Sequence, residues 1–168
     1  MKKKLFIAVA MMFLPLIVSA QGVKFGYFSY NRILHAMTDY ISAERGVADL
    51  KAQYDAETKR AEDDFNAKYV EFLEEQDKLA ESIRQKRQAE LVDLMEKNAA
   101  FKEQAKQLIS DAERKALAPV RTKLNTAIKE VGKERGYAFI LNIDNNGVPF
   151  VNSEYGEDAT AAIEQKLR

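Results

Sequence analysis

From Val47 to Ala118 the chain runs for 72 residues without a Gly or a Pro, and apolar side chains recur there at helical intervals. At about 100° per residue, Val47, Leu50, Tyr54, Ala61, Phe65, Tyr69, Phe72, Leu79 and Ile83 fall within one stripe roughly 100° wide. A second stripe follows: Leu91, Leu94, Phe101, Ala105, Leu108, Ala112 and Ala116. Between Ile83 and Leu91 only Ala89 is apolar, so the seam breaks over Ser82–Gln88. As one straight helix the stretch would be about 108 Å long, beyond the width of a compact domain of this size. The flanks choose between rod and hairpin. Lys24–Phe28 and Tyr137–Ile143 read as short strands, and pairing them within one chain requires the helix to return. Their midpoint puts the reversal at roughly residue 82, giving two antiparallel arms of about 36 residues and about 54 Å each.

The remaining elements follow from local signals. Met1–Ala20 carries Lys2–Lys4, an apolar run from Leu5 to Val18 broken by Pro15, and the small-residue ending Val18-Ser19-Ala20. That is the pattern of a secretory signal peptide, 1–20, cleaved after Ala20, and the run is too short for a membrane anchor. Ser29 is a reasonable N-cap for a short helix with Ile33, Leu34 and Met37 on its apolar face, and Thr38-Asp39 restarts the helix. Gly46 costs about 1 kcal/mol against Ala inside a helix, and Pro119 about 3 kcal/mol, so both mark places to bend. Gly136 closes the second arm. Asp144-Asn-Asn-Gly147 is a hairpin signal, with Val148–Val151 expected to return as a strand. Glu157–Leu167, acidic first and basic last, suits a terminal helix.

Charge and chemistry narrow the function. The arms carry 13 basic and 17 acidic residues, interleaved, as on a solvated helical surface. Acid-to-base pairs such as Asp55/Lys59, Asp64/Lys68, Glu74/Lys78, Asp93/Lys97 and Asp111/Lys115 each support the helix by about 0.2 to 0.5 kcal/mol. Without the three signal lysines the balance is 23 basic against 26 acidic residues, or −3. A mildly acidic chain without a basic stripe is a poor nucleic-acid binder. The one basic cluster, Arg84, Lys86 and Arg87 at the expected arm tip, reads as a solvated helix end, with transient contact to a phosphate or lipid headgroup as the alternative. There is no Cys, so no lipid-modified N-terminus and no disulfide. His35 is the only His, too isolated for a metal site. No phosphate loop or nucleophile motif occurs, and Ser42, Ser82 and Ser110 lie within helical pattern with no base beside them. Catalytic, cofactor and metal residues are therefore expected to be absent.

The signal peptide, the opening Lys24-Phe-Gly-Tyr-Phe with Ser29-Tyr-Asn-Arg-Ile-Leu behind it, and the long Gly/Pro-free hairpin occur in a telling order. The ending completes it: Gly136-Tyr-Ala-Phe-Ile-Leu, a hairpin, Val151-Asn-Ser, then Asp158-Ala-Thr before the last helix. Over about residues 22 to 168 this arrangement resembles the Skp (OmpH-like) family of periplasmic chaperones. The resemblance implies an α+β, mainly α fold, with a long antiparallel helical hairpin projecting from a small β-containing body. It further implies a homotrimer that holds unfolded outer-membrane proteins between its arms without ATP. Familiar members are strongly basic and this chain is not; Thr38 stands where relatives often carry Pro. Physical reasoning agrees on oligomerisation, since a few short strands and two bare arms leave sheet edges open and too little core. Another reading of the long charged helices is a passive coiled-coil spacer in the cell envelope.

On this reading the trimerisation body comprises 21–45 and 119–168, and the arms 46–118. Phe25, Tyr27, Phe139, Leu141 and Phe150 are the candidate trimerisation-strand residues. Reflected through an apex at roughly 82.5, Pro119 comes level with Gly46, making the pair a candidate hinge. Val70 lies about 140° from the first seam, and Val92, Met95 and Ala99 lie off the second. Reflection brings both sets to mid-arm on one side of the hairpin, the candidate client-binding strip.

Overall fold

The Gly- and Pro-free stretch is helical and does turn back on itself, but earlier than its midpoint. The computed structural model describes residues 23–168; the expected signal peptide lies outside the described residues. The elements in order are β1 (Phe25–Phe28), α1 (Tyr30–Ala36), α2 (Thr38–Glu75), a 3-10 turn (Gln76–Lys78) and α3 (Glu81–Glu134). They are followed by β2 (Ile140–Asn142), a second 3-10 turn (Asp144–Asn146), β3 (Gly156–Asp158) and α4 (Thr160–Leu167). This is the expected α+β, mainly α composition. Two units divide the described residues: 23–30 with 127–166 and 168 form one, and 31–126 with 167 the other.

In the helical unit, α2 and the first part of α3 run antiparallel. The ring of Tyr54 lies 6.1 Å from that of Phe101, the Asn98 amide donates to the Ala61 carbonyl at 3.0 Å, and Lys102 pairs with Glu62 at 3.1 Å. Lys123 meets Asp39 at 2.7 Å. The reversal falls at Gln76–Ala80, not in Ser82–Gln88. Leu79 is extended (φ −83, ψ 142), and the Ala80 carbonyl accepts from the Ile83 and Arg84 N–H groups to begin α3. Glu81 in the first turn suits the positive helix end. Ser82–Gln88 thus lies within α3, its polar surface that of a two-helix tip rather than a turn. The shifted apex also moves the register, since the Lys123–Asp39 pair puts Pro119 level with about residue 43, roughly one helical turn from Gly46. α3 continues through Pro119.

Most seam residues are half-buried, but Tyr69, Ile83 and Leu108 are exposed, and Thr58, Gln76, Asn98 and Ile109 join the seam instead. No described residue from 41 to 104 is fully buried. Most of the buried set of this unit, Ile33, Leu34, Met37, Tyr40, Leu117, Val120 and Leu124, sits at the open end of the hairpin, with Ala105 buried further along α3. His35 packs edge-on against Tyr40, whose hydroxyl donates to Glu44 at 2.5 Å. Asp64/Lys68 and Asp93/Lys97 pair as expected. Lys59 binds Asp63 instead of Asp55, and Asp111 binds Arg114 instead of Lys115. Lys78 lies in the 3-10 turn, past the end of α2, where the helical spacing to Glu74 no longer holds.

The other unit is built on β1, which is central in the order β2-β1-β3 and parallel to both neighbours. The expected antiparallel return is replaced. Asn145 and Asn146 do take positive φ (56° each), yet they form a 3-10 turn, and Val148–Val151 is not a strand. The chain reaches β1 again only at Gly156–Asp158 and on its other side, because β2 already occupies the first edge. Gly136 (φ 66) ends α3, with the Tyr137 N–H bonded to the Gly132 carbonyl at 2.9 Å. The terminal helix begins at Thr160, whose N–H is taken by Asp158 Oδ1 at 2.9 Å, so the acidic start read from Glu157 belongs to β3. Phe28, Ala127, Val131, Ala159 and Ile163 form the buried set here. Two glycines permit close ring packing: a Cβ on Gly26 would stand 2.8 Å from the Tyr137 ring, and one on Gly156 2.6 Å from that of Phe25.

Candidate functional site

The two flanks of the hairpin, left and right of its seam, differ in chemistry. On one, Met95 and Ala99 line an open groove of about 370 Å³ with Glu62, Phe65, Asn66, Asn98 and Lys102. Residues three, four and seven apart share a helix face, so Tyr69, Val70 and Leu73 extend the Asn66 side, and Val92 extends the Met95 side. Val70, Leu73, Val92 and Met95 are each about half exposed (53, 46, 51 and 52%), which for large apolar groups is a substantial water-facing surface. Of the four residues singled out from the sequence, Met95 and Ala99 line this groove, and helical spacing sets Val70 and Val92 alongside it. Leu73 and Tyr69 were missed. Tyr69 falls within the seam stripe by helical spacing, and Leu73 lies about 80° from the seam, outside the stripe but closer to it than Val70.

The opposite flank is charged. Its groove, about 330 Å³, has Phe72, Leu79, Leu91 and Leu94 in it and is walled by Lys68, Glu71, Glu75, Arg87, Glu90, Asp93 and Lys97. The basic cluster sits in the first turns of α3, where the helix dipole disfavours cations. Two of its members are answered locally, Arg84 by Glu81 and Lys86 by Glu90 (3.6 Å), leaving little free positive charge to recruit a phosphate. Among the described residues, no group of His, Cys, Asp and Glu could hold a metal ion, and no helix is long and apolar enough to cross a membrane.

A sequence model of one family, outer membrane protein (OmpH-like), matches residues 24–167. The chain belongs to the OmpH-like family. No curated protein matches its sequence. A crystal structure from Caulobacter crescentus, of a proposed outer membrane chaperone (OmpH-like), is similar to it with a TM-score of 0.72 at 17% identity, covering 85% of this chain and 82% of that one. At that identity the likeness is one of fold.

In this OmpH-like chain the expected trimerisation residues have unequal places. Phe25 and Tyr27 are on β1, whose two edges are both already paired, so they offer no free edge. Leu141 is half-buried on β2. Phe139 precedes β2, is 47% exposed and stacks on Phe25 at 5.3 Å. Phe150 lies outside any strand and is 79% exposed. The free edges belong to β2 and β3. On β3, Glu157 meets Lys24 at 3.1 Å and also Arg135, and the Tyr137 ring lies under Lys24. Its neighbours, Tyr137 foremost and then Lys24, hold the Glu157 carboxyl below its ordinary pKa. Burial first, then the adjacent Glu157 carboxylate, pushes the Tyr137 hydroxyl up to about 12.

Proposed function

We propose that this OmpH-like chain is an ATP-independent holdase chaperone of the periplasm. In this reading three copies join through the strand-bearing body (21–45 and 119–168), and unfolded outer-membrane proteins are kept from aggregating in the cavity between the arms (46–118). Gly46 and Pro119, one turn apart across the hairpin, let the arms splay for clients of different size.

The observation that carries the reading is the asymmetry of the arm. A passive spacer has no use for large apolar residues outside its seam, whereas a surface for unfolded chains requires them, and unbranched Met adapts to varied partners. The weak seam supports it too, since arms without a fully buried residue between 41 and 104 can yield to a bulky client. Both the family and the chaperone proposed for the Caulobacter crescentus structure agree with this role.

The test is a double variant, Val70→Glu with Met95→Glu, assayed for suppression of aggregation of an unfolded β-barrel protein. Both positions face water, so helicity and trimer mass should be unchanged while client holding falls about tenfold or more, two apolar contacts having been replaced by charges. Full holding by the double variant would remove the flank as the site.

A further inference from the structure

The described chain holds two sulfur atoms, and their surroundings are opposite. Met37 is 7% exposed, within the buried set at the open end of the hairpin. Met95 is 52% exposed and lies in the apolar flank, in the groove with Phe65, Asn66 and Ala99. The whole sequence has no Cys and no Trp to compete for an oxidant. We propose that Met95 is a modification site, a reversible oxidation switch for the apolar flank, which rests on the client-binding reading above.

The chemistry is a two-electron oxygen transfer from a peroxide. The Met95 thioether sulfur attacks the terminal peroxide oxygen, an S–O bond forms as the O–O bond breaks, and the departing hydroxide takes the proton of the new S–OH group to leave as water. Sulfur is oxidised by two electrons and the peroxide reduced by two. The product, methionine sulfoxide, replaces an apolar tip with a polar S–O group that must lose water to stay in contact with a client's apolar side chain. Because Met95 points to water in the chain itself, the same change costs the helix little. Because Met37 is buried, its oxidation awaits opening of the hairpin end. Selectivity and a silent effect on folding therefore both come from exposure, and a thiol-driven sulfoxide reductase reverses the change.

The experiment treats the full mature chain with graded hydrogen peroxide, maps the added oxygen by peptide mass, and measures holding of an unfolded β-barrel protein before and after sulfoxide reductase. One oxygen at Met95 should precede any at Met37, with helicity and oligomer mass unchanged. Holding should weaken roughly three- to tenfold, the effect of losing much of one apolar side chain's contact, and recover on reduction. Met95→Leu should resist the oxidant, its holding being the same before and after peroxide, while Met95→Gln should be weakened without it. Oxidation of Met37 as fast as Met95 overturns the proposal. So does unchanged holding by the Met95-oxidised chain when Val70→Glu with Met95→Glu is defective, a result that spares the client site. If the double variant also holds clients fully, the client reading fails and the switch with it.

Discussion

Asn98 is one of the polar residues the apolar pattern did not anticipate in the seam, and removing it separates two opposing effects. Its amide reaches across to the Ala61 carbonyl at 3.0 Å. Such a bond is worth about 1 kcal/mol net. Asn98→Ala loses it, but Ala is the better helix former by about 0.6 kcal/mol, so the variant should be only about 0.4 kcal/mol less stable. Asn66→Ala supplies the reference: Asn66 is exposed on α2 and should gain the full propensity difference of about 0.6 kcal/mol. Urea unfolding of both variants, followed by far-ultraviolet circular dichroism at one fixed chain concentration, should separate them by about 1 kcal/mol. Spin labels at Glu57 and Glu103 should also report a broader distance distribution in Asn98→Ala, since a polar contact in an apolar seam fixes register that apolar contacts leave free to slide. Equal unfolding midpoints in the two variants would refute the role of the bond, and an unbroadened distribution would refute its role in register.

At Gly46 a new Cβ meets nothing within 4 Å, so Gly46→Ala should stabilise the chain by about 1 kcal/mol. If Gly46 is a hinge, the same variant narrows the distribution of arm-tip separations measured from labels near Ile83; an unchanged spread argues for a rigid arm. Phe139→Asp places a charge on the exposed ring stacked against Phe25 and should abolish the trimer, so a full trimer mass by light scattering would count against the proposed assembly. The Tyr137 hydroxyl ionises near pH 10 when unfolded and at about 12 when folded, so its contribution is fully present below pH 10 and is lost as pH rises from 10 to 12. Tyr137→Phe should flatten that alkaline loss. Some slope should remain, because the Tyr40 hydroxyl is raised too, chiefly by its hydrogen bond to Glu44; an unaltered alkaline profile would show that Tyr137 does not titrate with folding.

The period of the apolar positions was enough to fix a long helical stretch, because a helix is a local structure whose buried face repeats every 3.6 residues, and the flanking strands then required it to turn back. The same local logic located α1, the Gly136 stop and the positive φ values near Asn146. It also placed Val70, Val92, Met95 and Ala99 on one flank, since angular position on a helix does not depend on the partner. What needed the tertiary structure was every choice between equivalent local options. The reversal at Gln76–Ala80 contains neither Gly nor Pro, and Leu79 is extended there with its side chain half-buried in the groove of Phe72, Leu91 and Leu94, so no turn residue announces it. Asp144-Asn-Asn-Gly147 bends the chain as its residues require, but the next strand is set by which edge of β1 is free, a non-local fact, and so the chain passes Val148–Val151 unpaired and returns at Gly156–Asp158. Tyr69 looks like a seam residue on a helical wheel, and only the packing of one helix on the other leaves it 45% exposed. Angles along a single helix follow from sequence order, whereas register, edges and exposure arise between elements distant in the chain, where many pairings satisfy the same local pattern and packing selects one.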